Sequence, residues 1–409
     1  MVHWFNGSTS SHGVLLPFDL EAVLRDWGAL RMAMTKEVPP EFTRDEWAYL
    51  IGFLDPHALR GTFEQTFGAA AQGSDRGPTS GTRFLVRPRG MVAVWLPNNV
   101  SLLGPLTLVL LSLTGNRVEL KAGTASENLV APFLRFALAK LGNGALRAHL
   151  EERVRLHALE RTDERVKALA AEAQVRIVFG SNAAAEAIHS WPHPLESVGF
   201  SFVDRRSEAW IDRASLNDAL LTALVKVFAI YGQAGCTSPR KLVLIGGTHA
   251  QAVELRDRLV ELWPQTVREV PMHLASANVM ARQWAAALGW DTRLAGGHGA
   301  ALGVPASPPP PSSGATEATV ALPEIPEAPL FLPVVALHEA DALRTLPANL
   351  QTLGVALTGG NDRLLQLASK SRARRIVPLA RMHHFGPVWD GEAFWRQTFD
   401  VVELQGGAR

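Results

Sequence analysis

Near the N-terminus apolar residues recur at three-and-four spacing, at Leu20, Val23, Leu24, Trp27 and Leu30, which predicts a helix with one buried face. Thr43-Arg44-Asp45-Glu46 is a capping-box pattern, flanked by Phe42 and Trp47 as a hydrophobic staple, so a second helix begins there. From residue 83 the period changes. FLVRP, MVAVWLP and RVELKAG are short β-rich runs separated by helical stretches, and a further helix is expected from Ser126. VRIVFGS at 175–181 precedes AAAEAI, and KLVLIGG at 241–247 precedes a helix from about His249 to Leu262. Farther on, FLPVVAL and GVALTGG read as strands and NDRLLQLASKS as a helix. Strands alternating with helices over this length predict an α/β architecture with mostly parallel sheets.

Two stretches depart from that rhythm. The most apolar run, Val100 to Thr114, is interrupted by Gly104, Pro105 and hydroxyls and is shorter than the ~18–20 residues a membrane span needs, so it reads as a buried helix. Pro305 to Thr319, PASPPPPSSGATEAT, has the composition of a linker or long surface loop. A chain of 409 residues with 47% hydrophobic and 19% charged residues is globular and large enough for two or three domains. Its formal net charge of +1 offers no strong field for nucleic acid or an anionic membrane. The opening MVHWFNGSTSSHG has no basic region followed by an apolar stretch, so no targeting segment is read there. The single cysteine, Cys236, cannot form an intrachain disulfide, which fits a reducing cytoplasm.

That cysteine stands in YGQAGCTSPRKLVLIGG. Leu220, Leu224, Val227 and Phe228 carry helical spacing up to Gly232, and a strand begins after Pro239, so the thiol is expected on a tight Gly-flanked turn between helix and strand. A buried inert cysteine would sit inside an apolar periodic run; one among Gly, Thr, Ser and Pro is a candidate nucleophile. Asn98, after Pro97, is either a turn residue or an amide able to donate to an oxyanion. Lys121 ends a predicted strand in a chain that mostly uses Arg for its positive charge. Gly180-Ser181 opens a helix whose N-terminus suits a phosphate, although many strand-to-helix turns look alike. His249, His298, His383 and His384 lack metal-ligand spacing and are assigned structural or surface roles, and no metal is inferred.

Gly232-Gln233-Ala234-Gly235-Cys236-Thr237-Ser238-Pro239-Arg240 resembles the cysteine loop of the aldehyde dehydrogenase superfamily, and more closely that of the LuxC-type acyl-CoA reductases, the fatty-acid reductases of bacterial luminescence. WLPNNVSLLGPLTLVLLSLTGNRVELKAG is similar to the superfamily stretch in which an asparagine precedes a helix, a Gly-Asn turn and a strand ending in lysine, and the spacing from Asn98 through Gly115-Asn116 to Lys121 agrees without a gap. VRIVFGSNAAAEAI resembles the segment that ends a strand at Gly-Ser beneath the cofactor phosphates, and Trp389-Asp390-Gly391 resembles the C-terminal (His/Trp)-Asp-Gly of LuxC-type reductases. The resemblance implies an aldehyde-dehydrogenase-like α/β fold with an N-terminal helical segment at 1–84, a Rossmann-like nicotinamide-cofactor domain at 85–195, and an α/β catalytic domain at 196–409 that holds the cysteine loop and a Pro-rich surface loop at 305–319.

It further implies roles. Cys236 is the nucleophile toward an acyl-CoA or acyl-carrier-protein thioester, and Asn98 is an oxyanion donor together with the Cys236 backbone N–H. Lys121 contacts the adenosine ribose, and Gly180 and Ser181 lie at the pyrophosphate. Thr124 stands where NAD-preferring members often carry glutamate, which removes a repulsion toward a 2′-phosphate and favours NADPH. The water-activating glutamate of the hydrolytic enzymes has no clean match, since Glu196 lies a few residues too early, and Pro329 replaces the glutamate that contacts the nicotinamide ribose. Hydride attack on an acyl-enzyme needs no water, so these departures point to thioester reduction. An oxidative aldehyde dehydrogenase and a non-catalytic carrier-binding homologue remain the alternatives. A homo-oligomer is compatible with the resemblance, with no nucleic acid, membrane span or metal implied.

Overall fold

The computed structural model describes residues 18–72, 82–98, 100–123, 128–233, 235–267, 270, 272–297, 299–308, 321–386 and 388–405. Thr124, Ser126, His298 and positions 309–319 of the Pro-rich stretch lie outside the described residues. The chain divides into two compact units, Met1–Val203 with Phe385–Arg409, and Asp204–His384.

The first unit opens with α1 (Leu20–Met34), α2 (Arg44–Phe53) and α3 (Pro56–Gln72), followed by β1 (Thr82–Pro88), β2 (Met91–Trp95), α4 (Leu103–Ser112), β3 (Arg117–Ala122), α5 (Val130–Lys140), α6 (Ala145–Arg153), β4 (Val154–Ala158), α7 (Glu164–Glu172), β5 (Val175–Gly180), α8 (Asn182–Ser190) and β6 (Val198–Val203). Both features expected at the start of α2 are present: the Thr43/Glu46 capping box closes, and Phe42 meets Trp47 at 4.7 Å. Five strands form a parallel sheet in the order β4-β3-β2-β5-β6. Met91, Ala93, Trp95 and Val178 bury one face under α7 and α8, while Val92, Val94, Val118 and Leu120 are buried on the other, which is why these strands read as continuous apolar runs. Every residue of α4 is buried. Trp27 on α1 donates to Ser112 Oγ at 2.9 Å and stacks on Phe133 of α5, and Asp26 accepts from the Leu146 N–H at the start of α6.

The second unit contains β7 (Arg206–Asp212), α9 (Asp218–Ala229), β8 (Pro239–Ile245), α10 (His249–Thr266), α11 (Met272–Ala287), β9 (Trp290–Ala295), β10 (Ala300–Pro305), β11 (Phe331–Leu337), α12 (Glu339–Arg344), β12 (Leu350–Ala356), α13 (Gly360–Lys370) and β13 (Arg375–Pro378). Its sheet runs β13-β12-β7-β8-β11-β10-β9, parallel throughout except for the antiparallel edge pair β10–β9. Ala209, Ile211, Leu242, Leu244 and Val334 pack against Leu224 and Phe228 of α9 and Leu255 and Leu259 of α10. Alternate residues Trp210, Val243, Ile245, Val335 and Leu353 meet Ala285 of α11, Ala342 of α12 and Leu367 of α13 on the opposite face. The unit is therefore a helix–sheet–helix sandwich.

After leaving the second unit the chain rejoins the first. Trp389 and Glu392 exchange two backbone hydrogen bonds of 2.8 Å around Asp390 (φ +52°) and Gly391 (φ +80°). Two positive φ values in a two-residue hairpin define a type I′ turn, which accounts for Asp-Gly at this position. The last strand, β14 (Phe399–Gln405), pairs antiparallel with β1 in a two-stranded sheet. Among the described residues no helix is long and apolar enough to cross a membrane.

Candidate active site

In the first unit β2 and β5 are neighbours, but the chain continues from β2 outward to β3 and β4 on one side and from β5 to β6 on the other. Connections that diverge in this way open a crevice beyond the carboxyl ends of the strands, where open parallel sheets bind their ligands. Asn98 follows β2, Lys121 is the penultimate residue of β3, Gly180 ends β5, and Ser181 is the N-cap of α8. The fold thus gathers these four candidates on one edge of one sheet.

Local chemistry fixes each of them. The Leu96 N–H donates to the Lys121 carbonyl at 2.9 Å, so the segment leaving β2 stays paired to β3 as far as Leu96. Asn98 is exposed, and its carboxamide covers Gly123, where a Cβ would overlap it. Partial burial, assisted by nearby Arg161 and opposed by Glu160, lowers the Lys121 pKa. Gly180 adopts φ +153°, which side-chain-bearing residues rarely reach, and a Cβ there would find only Ala184 Cβ at 3.9 Å, leaving the approach to α8 open. Ser181 Oγ accepts from the Ala184 N–H at 3.2 Å, so the hydroxyl caps the helix while the first turn presents its backbone donors. The Gly-Asn of the same motif has a structural role: Gly115 turns the chain at φ +68°, and buried Asn116 accepts from the Gly90 N–H (2.9 Å) and donates to the Thr398 carbonyl (3.1 Å).

In the second unit Cys236 lies between α9 and β8, at the amino edge of the sheet, and is half-buried. The Ser238 N–H donates to the Gly235 carbonyl at 2.9 Å, closing a turn with Cys236 and Thr237 at its centre. Ser207 Oγ, at the start of β7, donates to the Cys236 carbonyl (2.7 Å) and accepts from the Thr352 N–H of β12 (3.2 Å). Gln233, fully buried and at φ +65°, donates from Nε2 to the carbonyls of Pro239 (3.0 Å) and Phe331 (3.1 Å). The start of β7 therefore holds the turn at the Cys236 carbonyl, and Gln233, just before the turn, joins the starts of β8 and β11 beside it. Behind it Glu208 of β7 and Lys241 of β8 form a buried ion pair of 2.9 Å, and Glu208 also accepts from the Trp210 indole at 3.2 Å. Burial pushes the Glu208 carboxyl above its usual range.

Sequence reading missed Ser207, Gln233 and the Glu208–Lys241 pair, and it gave His383 only a structural or surface role. Gln233, between two glycines ahead of the cysteine, was the one with a local signal. His383 reaches the cysteine turn through Thr237, with 2.6 Å between Nδ1 and Oγ1. Glu196 precedes β6 and so lies at the amino edge of the first unit's sheet, the edge opposite Asn98, Lys121 and Gly180. There it lines an open groove of about 620 Å³ with Arg87, Arg89, Arg396 and Asp400.

Across both units the fold is that of the aldehyde dehydrogenases. The structure is similar to the aldehyde dehydrogenase KauB from Pseudomonas aeruginosa (TM-score 0.60, 13% identity, 94% of this chain and 83% of that one). Similarity of the same order links it to an indole-3-acetaldehyde dehydrogenase variant from P. syringae, solved with NAD+ and IAA (0.60, 13%, 94% and 83%), and to a putative aldehyde dehydrogenase from Burkholderia cenocepacia (0.60, 16%, 95% and 88%). A comparison with curated proteins found no match. Within that fold class, the model of the acyl-CoA reductase (LuxC) family matches residues 48–291, more than half of the chain. The protein belongs to the LuxC acyl-CoA reductase family and is an oxidoreductase of that kind, with the fold of the aldehyde dehydrogenases.

Proposed function

We propose that the protein reduces an acyl thioester, carried by coenzyme A or an acyl-carrier protein, to the aldehyde, with NADPH as reductant. The observation that carries this reading is the lone cysteine on a half-buried turn whose Cys236 carbonyl is held by Ser207 at the start of β7, next to buried Gln233, which ties the starts of β8 and β11, in a chain of the LuxC family. The Cys236 thiolate attacks the thioester carbonyl, the carbon–sulfur bond to the carrier breaks, and the carrier thiolate leaves. Asn98 and the Cys236 N–H are the assigned donors to the oxyanion formed on the way. A nicotinamide cofactor, when bound, would supply the hydride that reduces the acyl-enzyme to a thiohemiacetal, and breakage of its carbon–sulfur bond to Cys236 then releases the aldehyde and regenerates the thiol.

The residues on the carboxyl edge of the first sheet suit such a cofactor. Lys121 offers a cation and donor for a ribose hydroxyl, and Gly180 leaves the N-terminus of α8 open to a pyrophosphate. Thr124 is assigned to the 2′ position, where the absence of a carboxylate favours NADPH. Glu196, on the opposite edge of that sheet, is not assigned the water-activating role.

Intact-protein mass spectrometry tests the reading. With acyl-CoA and no reductant, an acyl adduct should accumulate on Cys236, because the water-activating glutamate of the hydrolytic enzymes has no clean match in the chain, and adding NADPH should release aldehyde. Cys236→Ala should show neither adduct nor aldehyde. Steady release of free acid without an adduct would replace the reductase reading with a hydrolytic one. Absence of both products would favour a non-catalytic homologue.

A further inference from the structure

His383 stands just beyond the short turn Leu379–Arg381 that follows β13, and the peptides around it are clamped. The Arg375 guanidinium donates to the carbonyls of Met382 (2.9 Å), Arg381 (3.1 Å) and His384. The imidazole so fixed spans two other segments. His383 Nε2 lies 2.8 Å from the Val227 carbonyl in the last turn of α9, and Nδ1 lies 2.6 Å from Thr237 Oγ1. A carbonyl can only accept, so Nε2 carries the ring proton, Nδ1 is the acceptor, and the Thr237 hydroxyl donates to it. Thr237 is the second central residue of the turn that carries Cys236.

We propose, on the reading that Cys236 is the nucleophile, that His383 is a positioning residue for the cysteine turn: it holds the Thr237 hydroxyl and so locks the direction in which the adjacent thiol points. The bond from Ser207 secures the Cys236 carbonyl, and those from Gln233 secure the carbonyls of Pro239, which follows the turn, and Phe331. They leave rotation about Thr237 to be fixed separately, and the relay to α9 does this. Burial, opposed by the hydrogen bond to the Val227 carbonyl and assisted by Arg375 and His384, lowers the His383 pKa to about 4, which keeps Nδ1 an acceptor at neutral pH. A side chain that only filled space could be replaced by any apolar group of similar size. The relay instead requires an acceptor at Nδ1 and a donor at Oγ1.

Because the chain has one cysteine, alkylation by iodoacetamide reports on Cys236 alone in the full-length protein and does not depend on turnover. Thr237→Val and His383→Leu should each slow labelling about tenfold, the scale that one neutral hydrogen bond supports, and should lower kcat by a similar factor with little change in KM. Thr237→Ser and His383→Asn, whose Oδ1 can take the place of Nδ1, should recover most of the labelling rate. The double variant Thr237→Val/His383→Leu should be no slower than either single one. Equal damage from His383→Asn and His383→Leu, or effects that multiply in the double variant, would overturn the proposal. Should His383→Leu fail to fold, the Thr237→Val and Thr237→Ser pair decides alone. The labelling pattern without any acyl transfer by the wild type would sink the reductase reading while leaving the positioning role standing; turnover with labelling insensitive to Thr237→Val would do the reverse.

Discussion

Lys241→Met would remove the ammonium facing Glu208, where the two side chains are only 5% and 4% exposed. The wild-type lysine also donates to the carbonyl and hydroxyl of Thr345, both at 3.1 Å, whereas Glu208 would keep only the Trp210 indole. Stranding one charge of a buried pair costs about 3–5 kcal/mol. Glu208 can escape part of that cost by taking up a proton, since burial already pushes its carboxyl upward. In Lys241→Met the folded protein therefore binds a proton at Glu208 that the unfolded chain releases, and the contribution of Glu208 to stability rises as pH falls toward the ordinary carboxylate range. The deficit relative to wild type should be largest near neutrality and should shrink by up to ~1.4 kcal/mol for each pH unit of acidification. Urea unfolding at pH 7.5, 6.5 and 5.5 measures it, and Glu208→Gln/Lys241→Met should be more stable at pH 7.5 than Lys241→Met alone. A deficit independent of pH, with a double variant as unstable as the two single losses added, would refute the view that these charges see chiefly each other.

Three further outcomes can be measured. Asn98→Ala should slow acylation of Cys236 by ~10²–10³, and Gly123→Ala should reproduce part of the loss because its methyl group displaces the Asn98 carboxamide; stopped-flow release of coenzyme A measures both. Thr124→Glu should weaken NADPH more than NADH in cofactor titrations, and equal loss with both would move recognition of the 2′ position elsewhere. Burial lowers His149 to about 4, assisted by Arg153, and His383 falls to a similar value. Each therefore contributes stability that is full above pH 6.5 and is lost as pH falls toward 4, up to about 3 kcal/mol apiece. Urea midpoints should drop between pH 7 and 5, and His149→Gln should flatten that slope.

Legibility in the sequence followed burial. The central strands β2, β3, β5, β8, β11 and β12 announce themselves because helices cover both their faces and leave apolar runs. β7 does not, since Arg206, Glu208 and Asp212 interrupt it, and only its neighbour across the sheet explains how a glutamate can be buried there. α11 exposes Met272, Met280 and Trp284, which blurs the one-sided pattern that marked α1. The motif residues of the first unit were readable because strand ends and helix starts are local events. The support for the cysteine turn was not, since Thr237 and His383 are separated by 146 positions and nothing nearby in the chain marks either as a partner.

The pairing of β1 with β14 bears on how the protein is made. Thr82 aligns with Gln405 and Pro88 with Phe399, so β1 waits for all the chain between Pro88 and Phe399 to be made before its partner exists. The second unit, Asp204–His384, is translated within that interval and has its own sheet and core on which to form. Until β14 is made, both backbone edges of β1 are open to pairing with other chains. The second unit can thus be complete while β1 is still unpaired, and chains cut before or within β14 would carry that exposed edge.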